Sequence, residues 1–235
     1  MPEGAGLTHR GLVRDHNEDK ILTDPCGQLW AVADGMGGYQ NGEVASDVVI
    51  DCLEDFDDNF DPAGSFGKQL ALANALLRQK AKAQGMGPMG ATVVALFIDR
   101  ALAHLAWAGD SRAYLLRGHR LRLLTRDHTV VQDLVDRGML SPEDAEMHPE
   151  SHVVTRAIGG DDAIELDHVA LPLIIGDRLL LCSDGLVRCV YEPTVESILQ
   201  DAATPQGACV ALINEALGNG APDNVSVIVV DLLGV

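Results

Sequence analysis

The sequence predicts a single α+β domain in which helices lie against antiparallel sheets. Short apolar, β-branched runs alternate with Gly, Asp or charged turns, a pattern typical of strands. Several runs are joined by very short turns, such as residues 117–119, and short connections favour antiparallel hairpins. Helical periodicity occurs before and after this block of strands. No repeat or Pro/Ser-rich linker divides residues 1–235, so we expect one layered domain.

The individual elements follow from these patterns. The predicted strands are residues 28–34, 91–99, 102–109, 112–117, 119–125, 163–171, 177–183 and 224–232. Apolar residues at helical spacing predict two helices between the first two of these strands. They are residues 41–55, with Val44, Val48, Cys52 and Phe56, and residues 65–84, with Leu70, Ala73, Leu77 and Ala81. Prolines at helix starts and Gly218 at a helix end predict two more, over 193–202 and 204–217.

Residues 128–155 interrupt the strands with a long segment of mixed irregular and helical pattern. Inserts of this length commonly form lids or binding loops. We therefore expect a flap at about 128–155.

The chain is strongly acidic, with 35 Asp and Glu residues against 17 Lys and Arg, and its formal net charge is −18. Nucleic-acid binding needs clustered Lys and Arg that displace counterions from phosphates, so this balance excludes most nucleic-acid binders. Excess carboxylates suit a protein that collects divalent cations, although a solvated acidic surface explains the same charge. The hydrophobic content of 47% is well outside the range of disordered chains.

Cysteine usage and hydropathy predict a reduced, non-membrane setting. The five cysteines, including Cys26, are odd in number and contain no CxxC pair, so a disulfide framework is not expected. No apolar run approaches the ~20 residues needed to cross a bilayer. The N-terminus, MPEGAGLTHR, lacks the pattern of a signal peptide. We expect a soluble, cytoplasmic monomer with no membrane or nucleic-acid partner.

Six carboxylates stand where predicted strands end or turns begin: Glu18, Asp19, Asp34, Asp110, Asp184 and Asp223. An Asp that follows four or five apolar residues, as Asp34 and Asp184 do, lies at the mouth of a buried strand, where an unpaired charge is costly. For any one of the six, an Asx turn or helix cap is the alternative. Hard oxygen ligands from separate strands are what Mg²⁺ or Mn²⁺ needs, so a carboxylate-built divalent site is the main chemical prediction.

Arg14 and Gly35 extend this predicted site. The planar guanidinium of Arg14, five residues before Asp19, can hold two phosphate oxygens while metals take a third, and an exposed surface arginine is the equally compatible alternative. The glycine-rich residues 34–43 let the backbone approach a ligand closely, so Gly35 can present its carbonyl beside Asp34. No GK[ST] follows this segment, which excludes a P-loop.

Seven motifs occur in order across residues 14–230: RDHNEDK, ADGMGGYQNGEVAS, MGATVVAL, AGDSRAYLLRGHRLRLLTRDHT, VVTRAIG, GDRLLLCSDGL and APDNVSVIVV. In this order and spacing they resemble the motif series of PP2C-type (PPM) metal-dependent serine/threonine protein phosphatases, bacterial branch. Each motif alone is weak, but the series covers nearly the whole chain and includes all six carboxylates.

The resemblance implies a four-layer α-β-β-α sandwich, two antiparallel sheets flanked by helix pairs, with a dinuclear Mn²⁺ or Mg²⁺ centre at one end. It implies that Asp34 bridges both ions and that Asp184 and Asp223 complete the first. The Gly35 carbonyl is implied to serve the second ion, and residues 128–155 match the mobile flap.

Further roles come from the same match. Glu18 and Asp19 are implied to hold the water shell of the second ion. Asp110, with Asp184, matches the position of a third, weaker ion in bacterial members. Arg14 is implied to bind the substrate phosphate.

The implied activity is hydrolysis of phosphoserine and phosphothreonine in proteins by a metal-activated water, without a covalent phosphoenzyme. The implied partners are phosphorylated proteins, such as a bacterial Ser/Thr kinase or its targets. Met36 stands where many eukaryotic relatives have a His proposed as general acid, so the leaving group must be protonated by water or another residue.

Two other functions compete with this interpretation. A non-catalytic phosphoprotein-binding module would keep the fold without turnover, but the intact carboxylate set argues against it. A metal-dependent nuclease or small-phosphate hydrolase would use the same ions. The net charge of −18 and the 4% aromatic content disfavour polynucleotide substrates.

Overall fold

The structure, a computed structural model, describes residues 2–24, 27–37, 41–57, 61–84, 87 and 89–234. Cys26 and residues 38–40 of the glycine-rich segment lie outside this set. Within the described residues the chain forms ten strands and seven helices, and the strands make two five-stranded sheets. All ladders are antiparallel, as the short connections predict.

The strands divide between the sheets in a fixed spatial order. One sheet runs β1 (Pro2–His9), β10 (Val225–Leu232), β9 (Arg178–Cys182), β6 (Arg112–Arg117) and β7 (Arg120–Leu123). The other runs β2 (Asp19–Thr23), β3 (Leu29–Met36), β4 (Gly90–Asp99), β5 (Leu102–Ala108) and β8 (Asp167–Pro172). The chain therefore passes repeatedly from one sheet to the other, and these passages bring distant acidic residues to one place.

The four longest helices cover the outer faces of the two sheets. The helices of the described residues are α1 (Asn41–Glu54), α2 (Pro62–Gln84), α3 (Val130–Asp136), α4 (Pro142–Glu146), α5 (Asp184–Val187), α6 (Glu192–Asp201) and α7 (Pro205–Gly218). Helices α1 and α2 pack on the sheet that contains β3 and β4. Helices α6 and α7 pack on the sheet that contains β9 and β10. In the part of the chain that the structure describes, no helix is long and apolar enough to span a bilayer.

Successive side chains of a strand point to opposite faces of its sheet, and this alternation explains how each sheet packs against helices on one face and the other sheet on the opposite face. In β4, Val94 and Leu96 face the other sheet, whereas Val93 and Ala95 face α1 and α2. Because both faces are buried, these strands read as continuous apolar runs. Trp30, Leu105 and Ile228 are fully or almost fully buried between the sheets. The predicted four-layer α-β-β-α sandwich is thus confirmed, while a single domain over 1–235 stays a prediction.

The structure corrects several element predictions. The first two strands, Pro2–His9 and Asp19–Thr23, were not predicted, because one is rich in Gly and polar residues and the other is only five residues long. The strand predicted over 163–171 begins only at Asp167. Asp34 lies inside β3 and not at its mouth, since Gly35 and Met36 continue the ladder opposite Ala91 and Gly90.

Residues 128–155 form a segment that is tied at both ends. Thr129 and Val154 form an isolated bridge, and the Thr155 amide donates to the His128 carbonyl at 2.8 Å. Between these ends lie the short helices α3 and α4, capped by the side chains of Thr129 and Ser141. The segment is thus an excursion from the sheet, and its role as a mobile flap stays a prediction.

Candidate active site

Five of the predicted carboxylates come together at one end of the sandwich from both sheets. Burial raises the pKa of Asp34 well above its ordinary value, and the neighbouring charges of Asp19, Asp184, Asp110 and Asp223 raise it further. These neighbours come from β2, the start of α5, the turn after β5 and the turn before β10. The fold therefore concentrates negative charge that the sequence distributes over about two hundred residues.

Asp19 has the most constrained environment of the group. Its side chain is buried, and its Oδ2 accepts hydrogen bonds from the Ser183 and Ser226 hydroxyls at 2.8 and 2.7 Å. Its Oδ1 is buried without a hydrogen-bond partner among the described residues. Burial raises the pKa of Asp19 to about 7, although the two serine bonds oppose the rise. A buried oxygen left unpaired in this way needs a water or cation to satisfy it.

The Asp34 and Asp184 carboxyl groups lie close enough for each to affect the pKa of the other. Burial raises the pKa of Asp184, the Asp223 charge adds to the rise, and the Arg188 guanidinium opposes it. Carboxylates this close cannot all ionise without a compensating cation.

Two guanidinium groups contact this cluster. Arg14 Nη2 donates to Asp223 Oδ2 at 2.8 Å, and the Arg14 side chain is 54% exposed. Arg188 Nη2 lies 2.5 Å from Asp184 Oδ2, and its Nη1 lies 3.5 Å from the same Asp223 oxygen that Arg14 contacts. Arg188 was not singled out from the sequence. Its position four residues after Asp184 was the available signal, because that spacing joins side chains across one helical turn.

Asn224 fixes the loop that carries Glu18. Its Oδ1 accepts from the Glu18 amide at 2.8 Å, and its Nδ2 donates to the carbonyls of Arg10 and His16, both at 2.9 Å. Glu18 is partly buried, and burial raises its pKa while the Arg14 charge opposes the rise. Asn224 was not singled out from the sequence either, although it immediately follows Asp223 in the APDN motif.

Gly35 lies against backbone on both sides. Its amide donates to the Glu18 carbonyl at 3.2 Å. A Cβ atom at this position would overlap the Gly42 carbonyl and lie 2.7 Å from the Glu18 carbonyl oxygen. The absence of a side chain therefore lets three segments of backbone meet beside Asp34.

Asp110 lies in the turn after β5 and is buried. Burial raises its pKa to about 7, the charges of Asp184 and Asp127 add to the rise, and Arg188 opposes it. Asp127 is itself held by Arg112, whose Nη2 donates to its Oδ2 at 2.7 Å. Asp110 therefore belongs electrostatically to the cluster, and its role at a third ion stays a prediction.

The carboxylates of this cluster fit Mn²⁺ or Mg²⁺, because both ions prefer hard oxygen ligands. The carboxylates are desolvated and repel one another, and Asp19 Oδ1 has no hydrogen-bond partner among the described residues. As the side chains stand, no three His, Cys, Asp or Glu groups of the described residues form a ready-made ion site. Arg14 and Arg188 hold oxygens of Asp223 and Asp184 instead. A metal would therefore have to exchange with these guanidinium groups.

Comparison with known proteins gives consistent matches. The family model described as "Protein phosphatase 2C" matches residues 12–134. The serine/threonine protein phosphatase PstP of Mycobacterium tuberculosis is 39% identical over 97% of this chain and 45% of its own length. The serine/threonine phosphatase Stp of Listeria monocytogenes is 34% identical over 95% of this chain and 93% of its own. The chain thus spans about half the mycobacterial relative and nearly all of the listerial one.

Solved structures agree with the sequence matches. The crystal structure of the M. tuberculosis phosphatase PstP/Ppp superposes with a TM-score of 0.93 at 37% identity, covering 99% of both chains. The catalytic domain of PstP in complex with two manganese ions superposes with a TM-score of 0.91 at 36% identity, also covering 99% of both chains. A structure this similar to the present chain therefore contains a manganese pair.

Proposed function

The chain belongs to the protein phosphatase 2C family, and from that premise we propose that it hydrolyses phosphoserine and phosphothreonine in proteins at a dinuclear Mn²⁺ or Mg²⁺ centre. The observation that carries this proposal is the meeting of buried carboxylates from both sheets beside the exposed guanidinium of Arg14. Such an arrangement combines sites for divalent cations with a group that binds phosphoryl oxygens.

Asp34, Asp184 and Asp223 would hold the ions through their carboxylates, with the Gly35 carbonyl as a further ligand. When bound, the ions would supply an activated water and neutralise charge on the phosphoryl group. Glu18 and Asp19 would hold water around the second ion, and the unpaired Oδ1 of Asp19 supports that role. A third, weaker position at Asp110 would require Asp184 to exchange Arg188 for a cation.

Arg14 would bind and orient the substrate phosphate. Its side chain is anchored at one end by Asp223 and is otherwise exposed, so its remaining donors are available to an incoming group. Contact with Asp223 raises the pKa of Arg14 further above its already high value, so the guanidinium remains charged. A fixed planar fork beside the cations orients the phosphorus centre for attack and stabilises its equatorial oxygens.

The relatives named as phosphatases and the intact carboxylates favour catalysis over a non-catalytic phosphoprotein-binding module. The partners we propose are proteins phosphorylated on Ser or Thr, such as a Ser/Thr kinase or its targets. The described cysteines, Cys52, Cys182, Cys189 and Cys209, are all free, which supports the expected cytoplasmic location. We also retain the expectation of a monomer.

Phosphate release from a phosphothreonine peptide tests the proposal. The purified chain is expected to turn over with Mn²⁺ and to lose that activity in EDTA. Asp184→Asn and Asp223→Asn should each reduce the rate more than tenfold, whereas Asp162→Asn, at a 94% exposed side chain, should retain it. A rate within tenfold of wild type in both site variants would show that the metal roles are wrong.

The same preparation distinguishes the competing functions. Phosphopeptide binding without phosphate release would indicate the non-catalytic module. Cleavage of single-stranded DNA or RNA faster than the phosphopeptide would indicate a nuclease.

A further inference from the structure

Arg188 joins two carboxylates that belong to different parts of the chain. Asp184 begins α5, directly after β9, and Asp223 precedes β10. The Arg188 guanidinium lies 2.5 Å from Asp184 Oδ2 through Nη2 and 3.5 Å from Asp223 Oδ2 through Nη1. The side chain is 37% exposed and Asp184 is 12% exposed, so this contact lies at the rim of the cluster.

The Arg188 guanidinium therefore places one positive charge against carboxylates from two different segments of the chain. A cation that contacts two converging carboxylates performs the electrostatic role of a bound metal ion. Unlike a metal ion, this cation is part of the chain and cannot be removed by a chelator.

We propose that Arg188 is an internal counter-ion that competes with divalent cations for Asp184 and Asp223 and holds the cluster together when no metal is bound. The proposal rests on the proposed metal site. An Asp184 Oδ2 that forms an ion pair with a guanidinium nitrogen 2.5 Å away must give up that contact to ligate an ion. Arg188 therefore lowers the affinity of the site for divalent cations.

If Arg188 has this role, its substitution should lower the stability of the metal-free protein and raise the affinity for metal. Without Arg188 the metal-free carboxylates lose a neutralising charge, so the metal-free protein becomes less stable. At the same time the metal no longer competes with a guanidinium for Asp184, although Arg14 still contacts Asp223, so it binds more tightly. A purely structural arginine would lower the stability of both forms and would not increase metal affinity.

Arg188→Gln in the full chain tests the proposal. After treatment with EDTA and its removal, titration calorimetry with MnCl₂ should give a Kd about three- to tenfold lower than that of wild type, the range expected for loss of a partly exposed ion pair. The melting temperature should fall in EDTA, and the gain in melting temperature from saturating Mn²⁺ should exceed that of wild type. Arg188→Lys keeps the charge but loses the fork, so its Kd should lie between the two.

Arg117→Gln is the matched control. Arg117 is 39% exposed and pairs at 2.6 Å with the buried Asp177, outside the carboxylate cluster. Its loss should lower the melting temperature equally with and without Mn²⁺ and leave the Mn²⁺ affinity unchanged.

The outcomes distinguish failure of the counter-ion role from failure of the metal site. An unchanged or weaker Mn²⁺ affinity in Arg188→Gln, when wild type binds Mn²⁺, overturns the counter-ion role and leaves the metal site standing. If Arg188→Gln does not fold, Arg188→Lys decides the question. A Mn²⁺ affinity of Arg188→Lys equal to or weaker than that of wild type also overturns the counter-ion role. A wild-type chain that binds no Mn²⁺ overturns the proposed metal site and the counter-ion role together.

Discussion

Asp19 and Asp34 lie directly opposite each other on the neighbouring antiparallel strands β2 and β3. Like charges in directly opposed positions destabilise a sheet, and here both groups are also desolvated. In this register the two ionised carboxylates repel each other, so a proton or a bound cation must neutralise part of their charge. The fold tolerates this repulsion because the rest of the β2–β3 ladder pairs normally, Ile21 and Leu22 pack against the core, and residues 31–33 of β3 are fully buried.

The first prediction concerns stability without metal. The pKa values of Asp19 and Asp110 are raised in the folded state to about 7 from an ordinary value of 3.8, so the folded state binds more protons than the unfolded state between these limits. Stability in EDTA should therefore fall as pH rises from about 4 to about 7. Calorimetry in EDTA at pH 5 and pH 8 measures the fall, and Asp19→Asn should reduce it.

Saturating Mn²⁺ should remove most of that dependence at neutral pH, because a bound cation stabilises the ionised carboxylates. At a thousandfold excess over Kd, binding contributes about 4 kcal/mol, or roughly 10 °C in melting temperature for a chain of this size. Equal melting temperatures in EDTA and in millimolar Mn²⁺ would show that the carboxylates do not form a cation site.

The second prediction concerns the donors that hold Asp19. Ser226 is fully buried, and its hydroxyl donates to Asp19 Oδ2 at 2.7 Å while lying 2.7 Å from the Thr8 hydroxyl. Ser226→Ala removes a hydrogen bond to a buried carboxylate and should lower the free energy of unfolding by about 1–3 kcal/mol. Urea unfolding at fixed Mn²⁺ measures this loss.

The control for that experiment is Ser197→Ala, at a hydroxyl in an exposed hydrogen bond with Asp201. It should change the free energy of unfolding by less than about 0.5 kcal/mol. If Ser226→Ala is equally mild, the Asp19 hydrogen bonds contribute little to the fold.

The sequence predicted eight of the ten strands because those runs are apolar enough to be recognised alone. Pro2–His9 is different: it is polar and Gly-rich, and its strand conformation depends on pairing with β10 along its whole length. Such pairing joins residues more than two hundred positions apart, so no local pattern could indicate it. Asp19–Thr23 also needs its ladder with β3, but the paired residues are close in sequence. This strand was missed because three of its five residues, Asp19, Lys20 and Thr23, are polar.

In the candidate site, too, some residues could be predicted from the sequence and others could not. The carboxylates were predictable because each stands in a recognisable motif, and the structure places Asp19, Asp34, Asp110, Asp184 and Asp223 within electrostatic range of one another. The groups that position them were not predictable. Ser183 and Ser226 look like ordinary small strand residues until the fold brings Asp19 between them. Their role is set by tertiary contacts that the chain makes across both sheets.

The third prediction concerns Arg14. The side chain is 54% exposed, and its contact in the cluster is with Asp223, so Arg14→Ala should shift the melting temperature in Mn²⁺ by no more than about 2 °C. If the guanidinium binds the substrate phosphate, kcat/KM on a phosphothreonine peptide should fall by about 10- to 100-fold. Arg14→Lys should recover little, because an ammonium group cannot form two parallel hydrogen bonds.

Arg10→Ala provides the comparison for Arg14. Arg10 donates to the Arg14 carbonyl in an exposed hydrogen bond, and its loss should leave kcat/KM within about threefold of wild type. Equal losses in both variants would indicate that general positive charge, and not the Arg14 fork, attracts the substrate.

The fourth prediction compares two glycines. At Gly35 a Cβ would overlap the Gly42 carbonyl, and the backbone of β3 would have to move away from Glu18. Gly35→Ala should therefore lower the free energy of unfolding by more than about 2 kcal/mol and weaken Mn²⁺ binding, because Asp34 moves with the same backbone. A Cβ added at Gly67 in α2 would meet no described atom within 4 Å beyond its own chain neighbours and helix backbone, so Gly67→Ala should stabilise the helix by about 0.5–1 kcal/mol with unchanged Mn²⁺ affinity. Urea unfolding and calorimetric titration measure both quantities, and a Gly35→Ala variant with wild-type stability and Mn²⁺ affinity would exclude this backbone from the site.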